Sequence, residues 1–299
     1  TERNVVTEER RRSVEAEPMG RLWETFQASE FMAHPYGQPT IGWMSDIKYL
    51  SRTKAEAFLH KYYAPNNAIV AIVGDIDTAA TIALVEKYFG AIPPKTPVGP
   101  VPADEPPQAG EKRIEIFGDA EPQLLIAFHK PTLPDPDDYV FDVIDMLLSE
   151  GRTSRLYKKL VVEQQLATEI GTFTAPGSRC PNLFVIEATP RAPHTVKEVE
   201  EAIYREVERL KSEPVTDREL QQILNSLEYE EYRQMSSNGG LARNLTEYEA
   251  VAGTWRYLIE HRQKVAKVTP ADVVRVAQKY LVEENRSVGF ISKKEGAQQ

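Results

Sequence analysis

The sequence predicts an α+β protein of two homologous domains, each with a mainly antiparallel sheet and helices packed on one face. Strands and helices are mixed without the strict alternation of a parallel βαβ array, a proline-rich stretch divides the chain, and one helix–turn–strand pattern occurs twice. These observations place the C-terminal part of a first domain, truncated at its N-terminus, at residues 1–91. A complete second domain is predicted at residues 112–299.

The linker between the two predicted domains covers residues 92–111, which include seven prolines and lack a hydrophobic period, so we expect a semi-extended segment. Before the linker, periodicity and capping signals predict helices at residues 3–15, 52–63 and 78–89 and a strand at 68–73. After it they predict strands at residues 113–117, 123–129, 169–174 and 182–189, and helices at 137–148, 154–165, 196–212 and 217–234.

The internal repeat relates residues 50–72 to residues 268–290 without a gap. Matching positions include two helix N-caps, a Lys-Tyr pair at the helix end and an asparagine before the strand: Ser51 with Thr269, Lys61-Tyr62 with Lys279-Tyr280, and Asn67 with Asn285. Both stretches predict a capped amphipathic helix, an aromatic anchor, a polar turn and a buried strand. The region before the linker therefore resembles the end of the domain that follows it.

Composition excludes several classes of protein. The chain of 299 residues is 41% hydrophobic and carries a net charge of −9, with its basic residues scattered, so we expect no nucleic-acid partner. No apolar run approaches the roughly 20 residues that a membrane helix requires. The single cysteine, Cys180, excludes an internal disulfide framework and leaves the redox compartment open.

Two acidic residues near the start are spaced to share one face of a helix. Glu2 and Glu9 are seven residues apart, which on a helix places both carboxylates on one face, roughly 10 Å apart along the axis. Spacing alone leaves two interpretations open: two groups that serve one site, or a solvated charged face like the adjoining run at residues 8–12.

Several motifs occur in one order along the chain: Glu2-Arg3-x-Val5-Val6-x-x-Glu9, Phe31-x-x-His34-Pro35-Tyr36-Gly37, Phe58-x-x-Lys61-Tyr62-Tyr63-x-Pro65-Asn66-Asn67, Val73-Gly74-Asp75-Ile76-Asp77 and Gly151-Arg152-Thr153-Ser154-Arg155-Leu156-Tyr157. In this order they resemble the pitrilysin/insulinase family of zinc metallopeptidases, which includes mitochondrial processing peptidase. The resemblance covers nearly the whole chain. It implies a zinc endopeptidase that cleaves peptides or unfolded segments through metal-activated water.

In that family an inverted H-x-x-E-H helix supplies two histidine ligands and a glutamate base, and a later helix supplies a glutamate ligand. The resemblance implies that Glu9 is this third zinc ligand and that Glu2 orients a ligand histidine. H-x-x-E-H is absent from the chain, and none of its five histidines can replace it. Truncation explains the absence better than loss, so we expect no catalytic residue here, no zinc held by these residues alone, and an inactive fragment.

The family's substrate clamp is also missing. Its peptidases usually carry an Arg and a Tyr seven residues apart in the second half, and the matching positions here are Val161 and Thr168. Neither side chain supplies a cation or a phenol. The chain therefore resembles one member of a two-subunit enzyme whose related partner supplies the Arg/Tyr pair.

The resemblance implies a homo- or heterodimer that encloses a peptide substrate, with an acidic interior that favours basic peptides. A rival hypothesis is a non-catalytic structural or partner subunit of the same fold. Loss of the Arg/Tyr pair favours this rival, and retention of Glu2 and Glu9 opposes it. Analogy with exported bacterial relatives points to the periplasm, whereas the sequence leaves the compartment open.

Overall fold

The computed structural model of the protein describes residues 2–293. The helices are, in chain order, α1 (Glu2–Arg10), α2 (Pro18–Glu30), α3 (Met44–Lys48), α4 (Arg52–Tyr62), α5 (Thr78–Phe89), α6 (Pro136–Ser149), α7 (Val196–Ser212), α8 (Asp217–Met235), α9 (Asn238–Ala252), α10 (Tyr257–Val265) and α11 (Pro270–Tyr280). The strands are β1 (Lys112–Phe117), β2 (Leu124–Lys130), β3 (Ala167–Ala175), β4 (Asn182–Pro190) and β5 (Arg286–Ser292). Wider π-helical turns follow α1 at Arg11–Glu15 and precede β3 at Tyr157–Glu163.

The five strands form one mixed sheet in the order β1-β5-β2-β4-β3. β1 pairs with β5 in parallel, and the three other pairings are antiparallel. The last strand of the described chain therefore lies inside the sheet, between the first two strands. The predicted α+β class with a mainly antiparallel sheet is confirmed for this part of the chain.

The larger core lies on the sheet face that the helices after the linker cover. It joins alternate side chains of the central strands to the apolar faces of α6, α7 and α11, and its fully buried members include Ile126, Phe184, Val288, Ile144, Ile203 and Val276. Helix α7 has the boundaries predicted from sequence because Thr195 and Glu198 form a reciprocal capping box at its start. This face alone fits the prediction of helices on one side.

The opposite face of the sheet is covered as well, which corrects that prediction. Helix α2, from the region before the linker, buries Leu22 and Phe26 completely against Leu125, Val185 and Ile291. Helix α2 can approach β5 this closely only because residue 289 is a glycine. A Cβ on Gly289 would lie 2.6 Å from the Phe26 ring. The region before the linker is thus attached to the second sheet through α2.

A buried polar contact accompanies this apolar one. The carboxylate of Glu30, at the end of α2, accepts a hydrogen bond of 2.7 Å from the hydroxyl of Ser287 in β5. Lys112 Nζ and His129 Nε2 lie 3.7 and 3.6 Å from the same oxygen. Opposite charge and hydrogen bonding compensate the cost of burying this carboxylate.

The strand predicted at residues 68–73 is wrong for residues 2–293. The segment is extended but lies outside the sheet, and Val70 is 70% exposed. Helices α4 and α5, predicted correctly, bury none of their residues. Because this region contains no second sheet in the described part of the chain, the two-domain division at residues 1–91, 92–111 and 112–299 stays a prediction.

The proline-rich segment adopts no helix or strand between residues 93 and 111, as predicted, but it is tied to its surroundings. The Glu105 carboxylate accepts hydrogen bonds of 2.7, 2.9 and 2.9 Å from the backbone N–H groups of Met32, Ala33 and His34. Partial burial favours the protonated acid, but these donors outweigh it and lower the pKa of Glu105. The linker is therefore anchored at its C-terminal end.

No helix among the described residues combines the length and the apolar character needed to cross a membrane.

Candidate functional site

The two acidic residues that the sequence places in a site are both exposed on helix α1. Arg10, the neighbour of Glu9, points the other way and is 4% exposed. Consecutive side chains on a helix differ by about 100° in direction. Because Arg10 is held inward, Glu9 on the adjacent position faces solvent. Glu9 therefore projects from the surface of the chain beside a fixed residue.

Arg10 fixes this helix to two other segments. Its guanidinium donates to both carboxylate oxygens of Glu24 on α2, at 2.6 and 2.9 Å, and to the carbonyl of Gly42 at 2.6 Å. The guanidinium also lies 5.9 Å from the ring centre of Trp43. A bidentate pair between side chains that are 5% and 14% exposed is a strong and directional contact. It positions the backbone that carries Glu9.

The carboxylates of Glu2 and Glu9 make no hydrogen bond or ion pair with residues 2–293. Over the same residues, no group of three or more His, Cys, Asp or Glu side chains is arranged to hold a metal ion. A single carboxylate does not hold Zn²⁺ in competition with water, because zinc sites in proteins require three or four ligands. The described residues therefore do not form a zinc site by themselves, and the roles of Glu9 and Glu2 stay predictions.

The two positions that match the missing Arg/Tyr pair lie on either side of a helix-to-strand junction. Val161 belongs to the π-helical turn and is partly buried against the main core, whereas Thr168 is exposed near the start of β3. Thr168 donates a hydrogen bond of 3.3 Å to the carbonyl of Thr189 in β4. Between them, Gln165 has a φ of +53°, a left-handed conformation that is uncommon for a residue other than glycine. The junction is well formed but presents no charged side chain at these two positions.

His34, which lies in one of the family-like motifs, precedes a tight turn. Its Nδ1 accepts a hydrogen bond of 3.1 Å from the N–H of Tyr36, and the two rings meet edge to face with centres 4.4 Å apart. The residue is 8% exposed. These contacts show that His34 caps the 3₁₀ turn Pro35–Gly37.

Sequence reasoning missed a half-buried charge cluster between α6, α8 and α10. His261 lies between two carboxylates, with Nε2 at 2.9 Å from Asp142 and Nδ1 at 3.4 Å from Glu231. Burial alone would lower the pKa of His261, but the hydrogen bonds and charges of Asp142 and Glu231 outweigh it and raise the pKa to about 9. The three residues are separated by 30 and 119 positions in the chain, so no local signal reveals them.

We expect this cluster to make stability fall in mildly alkaline solution. The pKa of His261 is raised from 6.5 to about 9 in the folded state, so its contribution is complete below pH 6.5 and is lost as pH rises through 9. The shift corresponds to roughly 3 kcal/mol. Urea unfolding at a series of pH values should show a falling free energy of unfolding between pH 6.5 and 9.5, and His261→Gln should flatten that slope.

His60→Gln is the matched control, since His60 is exposed on α4 and its replacement should leave the slope unchanged. Asp145, on the same helix as Asp142, should contribute little to the slope. Burial raises its pKa to about 6, so it is ionised over most of the range from pH 6.5 to 9.5. An unchanged pH slope in His261→Gln would show that the cluster is not the origin of the effect.

The comparisons with known proteins bear on these observations directly. The sequence profile of the family described as Peptidase M16 inactive domain matches residues 49–227, more than half of the chain. The chain belongs to this M16 family. The matched range begins before α4 and ends within α8, so the family assignment rests on the first copy of the repeat, the linker and four of the five strands, β1 to β4. The resemblance to zinc peptidases noted in the sequence is confirmed at the level of the family.

Individual M16 relatives agree with this assignment. The zinc protease PqqE of Helicobacter pylori is 26% identical over 295 residues, which are 97% of this chain and 66% of the relative. A crystal structure of a protease from Helicobacter pylori has a TM-score of 0.91 and 26% identity, covering 97% of this chain and 71% of that one. The present chain thus spans about two thirds of the length of these relatives.

A chain of Complex III2 from Candida albicans, bound to Inz-5, shares the fold with a TM-score of 0.81 and 15% identity, covering 97% of this chain and 70% of that one. Identity at this level shows the fold alone. The same fold therefore occurs in a protease from Helicobacter pylori and in a chain of Complex III2.

Proposed function

We propose that this chain is the later part of a zinc endopeptidase subunit that cleaves peptides or unfolded segments, and that it contributes one metal ligand, Glu9, to a site completed by residues outside the chain. The M16 family and the name of the Helicobacter pylori relative support the class of activity. The observation that carries the assignment of Glu9 is its geometry: an exposed carboxylate on a helix that the buried Arg10–Glu24 pair holds in place.

The remaining residues have proposed roles that are consistent with their positions. Glu2 lies two helical turns before Glu9 on α1 and is proposed to orient a ligand histidine supplied from outside the chain. Val161 and Thr168 leave the substrate clamp without a cation or a phenol, so a related subunit is proposed to supply the Arg/Tyr pair. The active form is then a homo- or heterodimer around a peptide substrate.

The 299-residue chain and the full-length protein should differ in zinc content. We expect the chain alone to retain no stoichiometric zinc after gel filtration, because the described residues offer no set of three ligands. Full-length protein, with its partner subunit, should retain zinc and cleave a broad peptide substrate in a chelator-sensitive reaction. Metal analysis and a fluorogenic peptide assay measure both. Chelator-sensitive cleavage by the chain alone would contradict the proposal.

The alternative function is a non-catalytic partner subunit of the same fold. Two observations favour it: the matching family is described as the inactive domain, and the same architecture occurs in a chain of Complex III2. Full-length protein that binds no zinc but restores cleavage by a related subunit would support this alternative over the first proposal. The proposed division in both cases keeps residues 1–91 as the end of a first domain and residues 112–299 as a second.

A further inference from the structure

Strand β1 lies at one end of the sheet and pairs only with β5 in the described part of the chain. Directly after β1, the N–H of Gly118 donates to the carbonyl of Ser292 in β5 at 3.0 Å. Backbone groups of successive residues in a strand point alternately to its two sides, so this bond directs those of Arg113, Glu115 and Phe117 away from β5. On that side they make no backbone hydrogen bond with the described residues. The outer edge of β1 is therefore open to another strand.

The side chains of the same three residues point to the face of the sheet that α7 covers. Arg113 shows this direction, since its guanidinium donates to both carboxylate oxygens of Glu200 on α7, at 2.7 and 3.0 Å. Ile114 and Ile116 point the opposite way and pack on the side of α2. The open edge of β1 and the α7 face therefore form one continuous surface.

A groove of about 810 Å³ lies on this face, between α7 and the sheet. Its lining includes Val196 and Tyr204 of α7 and Phe290 of β5, which give it an apolar floor. Phe290 pairs with Glu115 in the ladder between β5 and β1, so the groove lies alongside the second half of β1. A strand added to the open edge would direct alternate side chains toward this groove.

Two side chains in this half of β1 are exposed and free to meet a ligand. The carboxylate of Glu115 makes no hydrogen bond or ion pair with residues 2–293, and Phe117 is 51% exposed. Arg113 is engaged already, by Glu200 at 2.7 Å and by Glu111 at 3.1 Å. The free part of the edge thus offers one negative charge and one aromatic surface, two residues apart.

We propose that the open edge of β1 binds an extended peptide, which adds a sixth strand to the sheet and carries a basic and an apolar residue separated by one position. Extended peptides add to exposed sheet edges through main-chain hydrogen bonds, and side chains directly across the two strands give specificity. The basic side chain lies opposite Glu115, and the apolar one lies opposite Phe117 beside the groove. Recognition depends on β1 and the groove alone, so its test requires neither metal nor cleavage.

A second copy of β1 fits this edge less well. Two-fold antiparallel pairing about Glu115 would place two like charges opposite each other, which is unfavourable. Pairing about Ile114 would place Arg113 opposite Glu115, but that guanidinium is already held by two glutamates of its own chain. In this second register Phe117 would face the charged Glu111. A peptide with a free basic side chain meets none of these obstacles.

Peptide binding to the 299-residue chain tests the proposal. The probe is a fluorescent seven-residue peptide with lysine at its centre, leucine two positions to either side and threonine elsewhere, so that it fits in either direction. A control peptide has glutamate in place of the lysine. Fluorescence anisotropy should show saturable binding of the lysine peptide, roughly 10-fold tighter than that of the glutamate peptide. Equal affinity for the two, or no saturable binding of either at millimolar peptide, would overturn the proposal.

Charge reversal on the two edge strands makes the assignment specific. Glu115→Lys should reverse the preference, so that the glutamate peptide binds roughly 10-fold more tightly than the lysine peptide. Glu169→Lys is the matched control, because Glu169 is exposed on β3, the strand at the opposite edge of the sheet. It should leave the preference unchanged. Loss of lysine-peptide binding in Glu169→Lys but not in Glu115→Lys would assign the peptide to β3 and overturn the proposal.

Hydrogen–deuterium exchange, followed residue by residue by NMR, locates the peptide within β1. Saturating lysine peptide should slow exchange at the amides of Glu115 and Phe117 by on the order of 10-fold, because these groups gain partners. The amides of Ile114 and Ile116 already face β5 and should not change. Unchanged exchange at Glu115 and Phe117 would contradict strand addition. Protection of these amides without peptide, rising with protein concentration, would assign the edge to a second copy and equally overturn the proposal.

Discussion

Glu9→Gln in the full-length protein is expected to release zinc and abolish peptide cleavage. The amide that replaces the carboxylate carries no charge and is a poor zinc ligand, so one of the three protein ligands proposed for the site would be lost. The helix should remain folded, since the Glu9 side chain makes no contact on which α1 depends, whereas Arg10 provides the anchor. Zinc content per protein and peptide cleavage are the two measurements.

The chain offers a close control for this experiment. Glu8 lies one position earlier on α1, is also exposed, and pairs only with Arg11 at 2.6 Å. Glu8→Gln should leave zinc content and cleavage at the level of the unaltered protein. Glu2→Gln should fall between the two, with zinc affinity or activity reduced by about 10–100-fold, as for other residues that orient a metal ligand. Loss of zinc in Glu8→Gln as well as Glu9→Gln would attribute the effect to the charge of the helix instead of to coordination.

The second large effect concerns stability. Phe26→Ala in the 299-residue chain is expected to lower the free energy of unfolding by about 3–5 kcal/mol. Phe26 is fully buried where α2 meets the sheet, and its ring lies against Gly289 of β5, so its truncation leaves a cavity at this contact. Urea denaturation monitored by tryptophan fluorescence measures the change, since Trp23 packs beside Phe26 with ring centres 6.3 Å apart.

Phe58→Ala provides the control for aromatic truncation, because Phe58 is 58% exposed on α4 in this chain. Its cost should stay within about 0.5 kcal/mol. A similarly small cost in Phe26→Ala would mean that α2 is not firmly docked on the sheet. The region before the linker would then fold independently of the second sheet.

Local signals in the sequence predicted most of the elements. The capping box at Thr195 and Glu198 gave the start of α7, and alternating or continuous apolar runs gave β2 and β4. Helix α2 was missed, although Pro18 at its first turn and the apolar pair Leu22 and Phe26 are ordinary helix signals. These elements depend on neighbours within one or two turns, which is why sequence alone contains the information.

Other features depend on partners far away in the chain. The apolar run at residues 68–73 predicts a strand, but a strand exists only where another strand pairs with it, and no described residue does so. The direction of Glu9 follows from the contacts of Arg10 with Glu24 and Gly42, which are 14 and 32 residues away. The spacing of Glu2 and Glu9 could predict a shared helix face, but it could not predict which way that face points.

Helix α2 contacts both the sheet and helix α1. Phe26 packs α2 against the sheet, and Glu24 accepts two hydrogen bonds from Arg10, the residue next to Glu9. The sheet, α2 and α1 are therefore joined by a continuous series of buried contacts, which fixes the backbone of Glu9 relative to the sheet. Loss of either contact of α2 would therefore leave the backbone that carries Glu9 less firmly positioned relative to the sheet.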